Sequence, residues 1–590
     1  MLAEDPPAHR TPRERLTTGA LGVLLVAFGA WRAVWGIDFG DGAHAVALAL
    51  RVADGDVPFR DEMNLQVLGA LPAVPVLWLW STLVGNEGIV LVARLWYVCL
   101  AAGVAALVYR VLRDRLGSGG ALTVAVAAVV AAPYNLLYVS YNTVPTLALV
   151  VAVVVGAVVV DRRDGVAPRG AFVAGAAAAV AVVAHPATGV GVLALVVAWG
   201  LCWRSPRVLA AAALGAAVPV VALAVWVLLV PGPESLVETV RYTLSYQELR
   251  PGTGTRLLRQ VLAHGELLSR WAYVPAALLA VVSSLSVPRR VRGWLLVLLP
   301  PAAVLPSLPL LLEDGPVRVG AASGTVALVL CLALALPVGL RVLRSGPTWL
   351  RHLLGPSAAL AVVGTPVMAA TTTAGPRWGV MVATVAPLLA ALVAGLLWVL
   401  IEDLPPRSLP DRLAPRTVSV LLVLLLLGTH SLLSFRNGPF WTLTEQIAAG
   451  PHAGLRTDRC YAEADRRLAA VVGRWVDPDG SLLSLGAPAA YLYTGARMDT
   501  NIVWLADFGP ANRETVDWME RTGRFPDVVL VAGPVVDRAG GWEAMTRDDP
   551  LVGWLAAHYP PAVADDDYRV VPRDPAAAAE AEPVERGPRC

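Results

Sequence analysis

The chain has 590 residues, of which 56% are hydrophobic and only 16% charged, with a formal net charge of +2 and a mean hydropathy of +0.61. Soluble globular domains carry about 25% charged residues, so this composition excludes one. No lysine occurs, arginine supplies all the basic charge, and the partner implied is lipid, not nucleic acid.

The apolar residues fall into repeated Ala, Val and Leu runs of roughly 17 to 25 residues, the length that crosses a bilayer core of about 30 Å. Heavy use of Ala, Val, Gly, Pro and Arg suggests a GC-rich bacterial genome, so the expected location is a bacterial inner membrane, crossed many times. Cys99, Cys202, Cys331, Cys460 and Cys590 show no metal-type spacing. The first three lie in apolar spans as small hydrophobes; Cys460 and Cys590 can pair only if both lie outside the cell.

Residues 1–16 are polar, with Arg10, Arg13 and Arg15, and Leu16–Gly36 is apolar. The run is long, holds Trp31, Arg32 and Trp35 near its end, and lacks a small-residue cleavage site. It predicts an uncleaved first transmembrane helix with a cytoplasmic N-terminus. The interval Asp38–Gln66 follows, holding Asp38, Asp41, His44, Asp54, Asp56, Arg60, Asp61 and Glu62 between two apolar segments. Residues 65–84 are apolar enough to span. Crossing there would put the arginines at 110–115, 162–169, 204–207, 289–292, 341–351 and 407–416 on the side opposite the N-terminus, against the positive-inside rule. The segment is therefore expected to stay on the outer side as a juxtamembrane or re-entrant helix, bent at Pro72 and Pro75.

Further spans are expected at residues 89–109, 119–138, 141–160, 170–185, 187–203, 207–230, 271–287, 293–312, 318–340, 352–371, 378–401 and 417–434, about 13 with the first. That odd number places the C-terminus outside. The outer loop 231–270 has a helical period broken near Gly252 and Gly254, and carries Arg241, Arg250, Arg256, Arg259 and Arg270. It reads either as a solvated helix pair or as an amphipathic element on the outer leaflet. After Phe435, strand-like runs at 481–486, 527–533 and 568–571 alternate with helical patterns at 461–476, 512–522 and 550–558. This alternation predicts a small extracytoplasmic α/β domain over 435–573. Residues 574–590 read as a flexible tail. The fold class is thus an α-helical polytopic membrane protein over 1–434, with a catalytic loop at about 37–88 and that outer domain.

A transfer reaction at the outer face has no nucleoside triphosphate, so it uses a sugar already activated on a polyprenyl phosphate. Such a reaction needs a carboxylate base for the acceptor hydroxyl and cations for the departing phosphate. The run GDGAHAVALALRVADGDVPFRD resembles the first outer loop of bacterial GT-C type glycosyltransferases of the protein mannosyltransferase and aminoarabinose transferase group, glycosyltransferase family 39-like. Their pattern has an Asp-Glu soon after the first span, a helix ending in a G-x-P-Y-R-D-like turn, and an apolar juxtamembrane helix. The resemblance puts the Asp of Asp-Glu on Asp41 and the turn on Pro58, Phe59, Arg60 and Asp61; Gly42 replaces the Glu, and Asn64, Leu65 and Gln66 replace the His-Pro-Pro or Tyr-Pro-Gly element. It extends in pattern over residues 15–200, and SLLSLGAPAAYLYTGAR is similar to the stretch that follows the last span in that group.

The resemblance implies Asp41 as catalytic base, against the plainer reading of an N-cap for a helix at 43–53. Asp61 is the second candidate catalytic residue, as a substrate-orienting carboxylate or metal ligand, against a turn or ion pair with Arg60. Arg60, Glu62, His44, Arg94 and Arg377 are candidate substrate-binding residues. Arg94 and Arg377 form a candidate phosphate clamp, because an arginine inside a span faces protein or a cavity. His44 reads otherwise as a surface histidine, and Asp54 and Asp56 as turn residues beside Gly55. Cofactors and metal stay unknown, a divalent cation being compatible but established by no motif. The partners implied are a polyprenyl-phosphate sugar donor, an envelope glycan, lipid or protein acceptor, and membrane lipids. The competing classes are a transporter or flippase for a lipid-linked precursor, which should show internal repeats, and a noncatalytic scaffold.

Overall fold

The computed structural model describes residues 12–130, 132–133, 136–159, 167–203, 205–248, 252–307, 326–371, 383–404, 408–432, 437–505, 509–580 and 584. Helix α1 (Pro12–Ala33) leads into α2 (Asp41–Ala53), α3 (Val74–Val84) and α4 (Ile89–Val130). Then come α5 (Thr143–Val158), α6 (Ala167–Ala184), α7 (Gly189–Cys202) and α8 (Pro206–Leu229). Next are α9 (Pro233–Glu248), α10 (Thr253–Leu268), α11 (Val274–Ser284) and α12 (Arg289–Val304). The helical region closes with α13 (Val326–Ser345), α14 (Thr348–Thr371), α15 (Val385–Asp403) and α16 (Leu409–Leu432).

Seven described helices are long and apolar enough to cross a membrane: α4, α6, α8, α13, α14, α15 and α16. Helices α1, α5 and α7 carry shorter apolar stretches, and the chain is a multi-pass membrane protein. Helix α4 is two helices meeting at Gly117, whose φ of +71° suits a residue without a Cβ; it takes in the span expected at 89–109 and the first part of that expected at 119–138. Its second half stops at Val130, ahead of Pro133, and residues 136–142 are not helical. Helix α15 is the centre of the bundle, with residues from Leu389 to Leu397 all buried. Helix α8 lies at the rim, exposing Leu214, Val218, Val221 and Leu228. Helices α6 and α8 cross where Gly175 meets the Ala212 carbonyl and Gly215 meets that of Phe172, and a Cβ built on either glycine falls 2.0 Å from the facing oxygen.

Residues 65–84 do not form one helix. Short 3₁₀ turns at Leu65–Gly69 and Leu71–Ala73 lead into α3, with Pro72 and Pro75 at the joints. The 11 residues of α3 reach about 16 Å at 1.5 Å per residue, about half a bilayer core. Leu77 faces protein, while Trp78, Leu79, Leu83 and Val84 are exposed, as suits a helix lying at a membrane edge.

The C-terminal region holds a five-stranded sheet in the order β4-β3-β5-β7-β6, built from β3 (Ser481–Leu485), β4 (Arg497–Met498), β5 (Val528–Ala532), β6 (Val563–Asp565) and β7 (Tyr568–Pro572). A separate ribbon pairs β1 (Glu445–Gln446) with β2 (Arg456–Thr457). Strand β3 runs parallel to β4 and β5, with Leu482 opposite Val528, whereas β7 is antiparallel to β5 and β6, with Val529 opposite Val571. The three strand-like runs of the sequence are the three adjacent central strands, and the helical patterns are α17 (Arg459–Trp475), α18 (Arg513–Thr522) and, after α19 (Gly533–Arg538) and α20 (Trp542–Asp548), α21 (Pro550–His558).

Side chains alternate across the sheet. Leu483, Leu485, Val529 and Val531 pack with Val516 and Trp518 of α18 and Leu551 of α21. Leu482, Val528 and Leu530 share one core with Leu468 and Val472 of α17 and with Val46, Leu48 and Leu50 of α2. The sheet domain and the segment after α1 are therefore one packed body. Backbone bonds stitch it further, from Gly36 to the Arg456 carbonyl at 2.7 Å, Met63 to Asn501 at 2.6 Å, and Val90 to Pro451 at 3.1 Å.

Candidate functional site

The N-terminus of α2 is shaped by Asp38, whose carboxylate accepts the Gly40 N–H at 3.0 Å and the Gly42 N–H at 2.5 Å. Capping thus falls to Asp38 and not to Asp41, which stands half-buried in the first turn of α2. The helix starts two residues before the expected 43, because that carboxylate satisfies amides otherwise left without a partner.

Tyr138, from the non-helical stretch before α5, fills the space beside Gly42. A Cβ at residue 42 falls 2.6 Å from its Cε2 and 2.8 Å from its hydroxyl. Arg94 holds the phenol in place, donating from Nε to the Tyr138 hydroxyl at 2.8 Å and from Nη1 to the Ala33 and Trp35 carbonyls at 3.0 and 3.1 Å. These bonds explain how a guanidinium only 4% exposed is tolerated at the start of α4: it closes the end of α1, whose last carbonyls lack helical partners. Arg32 is also buried, and it, Arg94 and Asp38 all lie within electrostatic range of the Tyr138 hydroxyl.

His44 follows Asp41 by three residues, on the same helix face. It is buried, not at the surface, and meets Trp504 of the sheet domain edge to face with ring centroids 5.2 Å apart. Burial depresses its pKa to about 3, so the ring is neutral at physiological pH. Its Nδ1 finds no partner among the described residues.

Asp61 sits elsewhere. Its backbone N–H donates to the Val57 carbonyl at 2.9 Å and its Oδ2 accepts the Val57 N–H at 2.8 Å. It pairs with Arg60 at 3.0 Å, and Arg524 of the sheet domain stands 3.7 Å away. Its carbonyl accepts from Nη2 of Arg51 at 2.5 Å. Arg51 is ten residues beyond Asp41 on α2, about 15 Å along the helix axis. The two carboxylates expected to act together therefore lie at opposite ends of one helix, because the turn after α2 folds Asp61 back onto the end carrying Arg51.

Arg51 is the hub of that second cluster. Only 1% exposed, it bonds Asp56 at 2.8 Å, Glu62 at 2.7 Å and the carbonyls of Asp61 and Thr500 at 2.5 Å each. Glu62 also accepts the Val503 N–H at 3.0 Å. Burial raises its carboxyl to about 7 against the opposing pull of Arg51 and that N–H. Arg524 bridges Asp56 at 3.0 Å and Asp499 at 2.9 Å. Burial pushes the Asp499 carboxyl up, but bonds from Arg497 and Arg524 outweigh it and hold the pKa below the usual carboxylate value. Arg60 is half-exposed, and its carbonyl accepts from the Trp518 indole at 3.2 Å. Arg60, Asp61 and Glu62 are thus engaged at the seam between loop and sheet domain.

Arg377 lies outside the described residues. Tyr141 and His185 meet edge to face, 5.5 Å between ring centroids. Cys460 is disulfide-bonded, while Cys590 lies outside the described residues. Among the described residues no group of three or more His, Cys, Asp or Glu is placed to hold a metal ion. The sequence reading missed Arg51, Tyr138, Trp504 and Arg524. Arg51 alone carried a signal, as the one charge in the apolar helix AVALALRVA.

No family model and no curated protein matches this chain. Among solved structures, the chain is similar to ArnT from Cupriavidus metallidurans bound to undecaprenyl phosphate, at 13% identity and a TM-score of 0.46, over 98% of this chain and 100% of that one. It is also similar to the archaeal oligosaccharyltransferase AglB from Archaeoglobus fulgidus in complex with an inhibitory peptide and a dolichol-phosphate, at 11% identity and a TM-score of 0.42, over 94% of this chain and 73% of that one.

Proposed function

We propose that the chain is a membrane glycosyltransferase that moves a sugar from a polyprenyl-phosphate donor to a cell-envelope acceptor at the outer membrane face, with Asp41 as general base. The observation that carries this reading is the setting of Asp41: half-buried on a turn fixed by Asp38, with the next residue, Gly42, packed on a Tyr138 ring held by the buried Arg94. Asp41 accepts the proton of the acceptor hydroxyl as that oxygen bonds to the anomeric carbon. The bond from that carbon to the phosphate oxygen breaks, and the polyprenyl phosphate leaves carrying the electron pair. Arg94, its Nε on the Tyr138 hydroxyl and its Nη1 on the end of α1, braces the ring against which the turn carrying Asp41 packs. Asp61 braces the loop in this reading, with Arg60 and Glu62.

The disulfide at Cys460 supports an oxidising, extracytoplasmic setting for the sheet domain, as does the distribution of arginine-rich loops. The domain boundaries at about 434 and 573 belong to the same reading. The test is release of polyprenyl phosphate from a panel of polyprenyl-phosphate sugars by the purified protein, with Asp41→Asn beside the wild type. No release from any sugar in the panel overturns the reading.

A further inference from the structure

We infer that Trp504 of the sheet domain and His44 of α2 form the wall that recognises the sugar ring of the lipid-linked donor. The inference rests on the transferase reading and adds to it a contribution of the sheet domain to the donor site.

Trp504 is half-buried and its backbone is held on both sides. Val503 donates to the Glu62 carboxylate at 3.0 Å, and Leu505 is bridged to Leu485, its carbonyl accepting the Gly486 N–H at 2.7 Å. Two residues earlier, the Asn501 carbonyl accepts from Met63. The indole is therefore presented on a rigid segment, which keeps the entropic cost of binding against it low. Its neighbour His44 is 2% exposed, perpendicular to the indole, and one turn from Asp41. A buried polar atom without a partner costs about 1–3 kcal/mol, yet Nδ1 of His44 is one among the described residues.

The chemistry of the pair selects the ligand. Both rings are neutral, since burial keeps the imidazole unprotonated, so neither offers charge to a phosphate. An indole presents an electron-rich face on which the polarised C–H groups of a pyranose or furanose ring pack. A neutral imidazole can donate to or accept from a hydroxyl. An apolar ring with one polar group converging on it is the usual make-up of a small-ligand wall, and His44 of the pair follows the proposed base by three residues on α2. The pair thus reads the sugar.

The test measures binding of polyprenyl phosphate, and of polyprenyl phosphate carrying each of several hexoses and pentoses, to the full-length protein in detergent. Wild type is expected to bind at least one glycosylated lipid more tightly than the sugar-free lipid. Trp504→Leu should weaken that glycosylated lipid about tenfold and leave the sugar-free lipid unchanged. Trp504→Phe keeps an aromatic face and should retain most of the preference, and His44→Asn should lose part of it. The inference is overturned if Trp504→Leu weakens both lipids equally or neither, or if wild type binds the sugar-free lipid without preferring any glycosylated one. Wild type that binds no member of the panel overturns the transferase reading itself.

Discussion

Arg51 and Thr500, 449 positions apart, are joined by a 2.5 Å bond from the guanidinium Nη2 to the peptide carbonyl. That bond ties the helix carrying Asp41 to the segment after β4 that carries Trp504. Arg51→Met leaves Glu62 and the Thr500 carbonyl buried without their donor, and breaking one side of a buried ion pair costs about 3–5 kcal/mol. The expected result is a large fall in thermal midpoint in detergent. Arg51→Lys should recover little of it, because a single ammonium cannot reproduce a planar fork serving four acceptors. A midpoint like wild type for Arg51→Met contradicts the role of the hub.

Glu62 gives the same seam a pH dependence. Its folded carboxyl titrates near 7 and its ordinary value is 4.5, so the folded state holds the proton more tightly than the unfolded one. Stability contributed by protonated Glu62 is fully present below about 4.5 and is lost as pH rises to about 7, by up to about 3 kcal/mol. Thermal midpoints of wild type and Glu62→Gln across this range should therefore converge or cross as pH rises, with wild type falling faster. Parallel curves contradict the shift.

Gly42 and Tyr138 test the geometry around the proposed base. An alanine at 42 meets a buried ring pinned by Arg94, so relief requires the turn carrying Asp41 to move. Displacement of a catalytic group by about 1 Å costs about 100-fold in rate. Gly42→Ala should lower kcat at least tenfold with little change in KM for the lipid donor, and adding Tyr138→Leu should recover part of it. Unchanged kcat in Gly42→Ala contradicts the arrangement.

The crossing of α6 and α8 makes a purely structural prediction. A Cβ at Gly175 falls 2.0 Å from a backbone oxygen, whereas one at Gly200 meets nothing within 4 Å. Gly175→Ala should destabilise by about 1–3 kcal/mol or more. Gly200→Ala, in a helix with open space, should be neutral or slightly stabilising. Thermal midpoints of the two variants, measured together, check the contrast.

Much of this fold is legible in the sequence because bilayer-length apolar runs and arginine-bearing connections leave few arrangements open. The strands β3, β5 and β7 announce themselves as buried apolar runs. Strands β1, β2 and β4, two residues each, are too short to leave any periodicity. Residues 65–84 read correctly as bent because two prolines fall inside the run. The end of α4 is not legible in the sequence, because apolarity continues past Pro133 after helical hydrogen bonding has stopped. At the site, the loop was legible and its internal geometry was not. Asp41 and Asp61 are equally acidic in sequence, and only the return of the chain after α2 separates them. Trp504, Arg524 and Tyr138 reach the loop from far along the chain, through contacts that local pattern does not encode.

The most direct measurement is turnover of polyprenyl-phosphate sugars by purified wild type, Asp41→Asn and Asp61→Asn, compared at equal amounts of folded protein. The account predicts that Asp41→Asn lowers kcat by about 10²–10⁴, the range of a lost general base, while Asp61→Asn keeps its turnover and loses thermal stability. Full turnover in Asp41→Asn contradicts the assignment of the base.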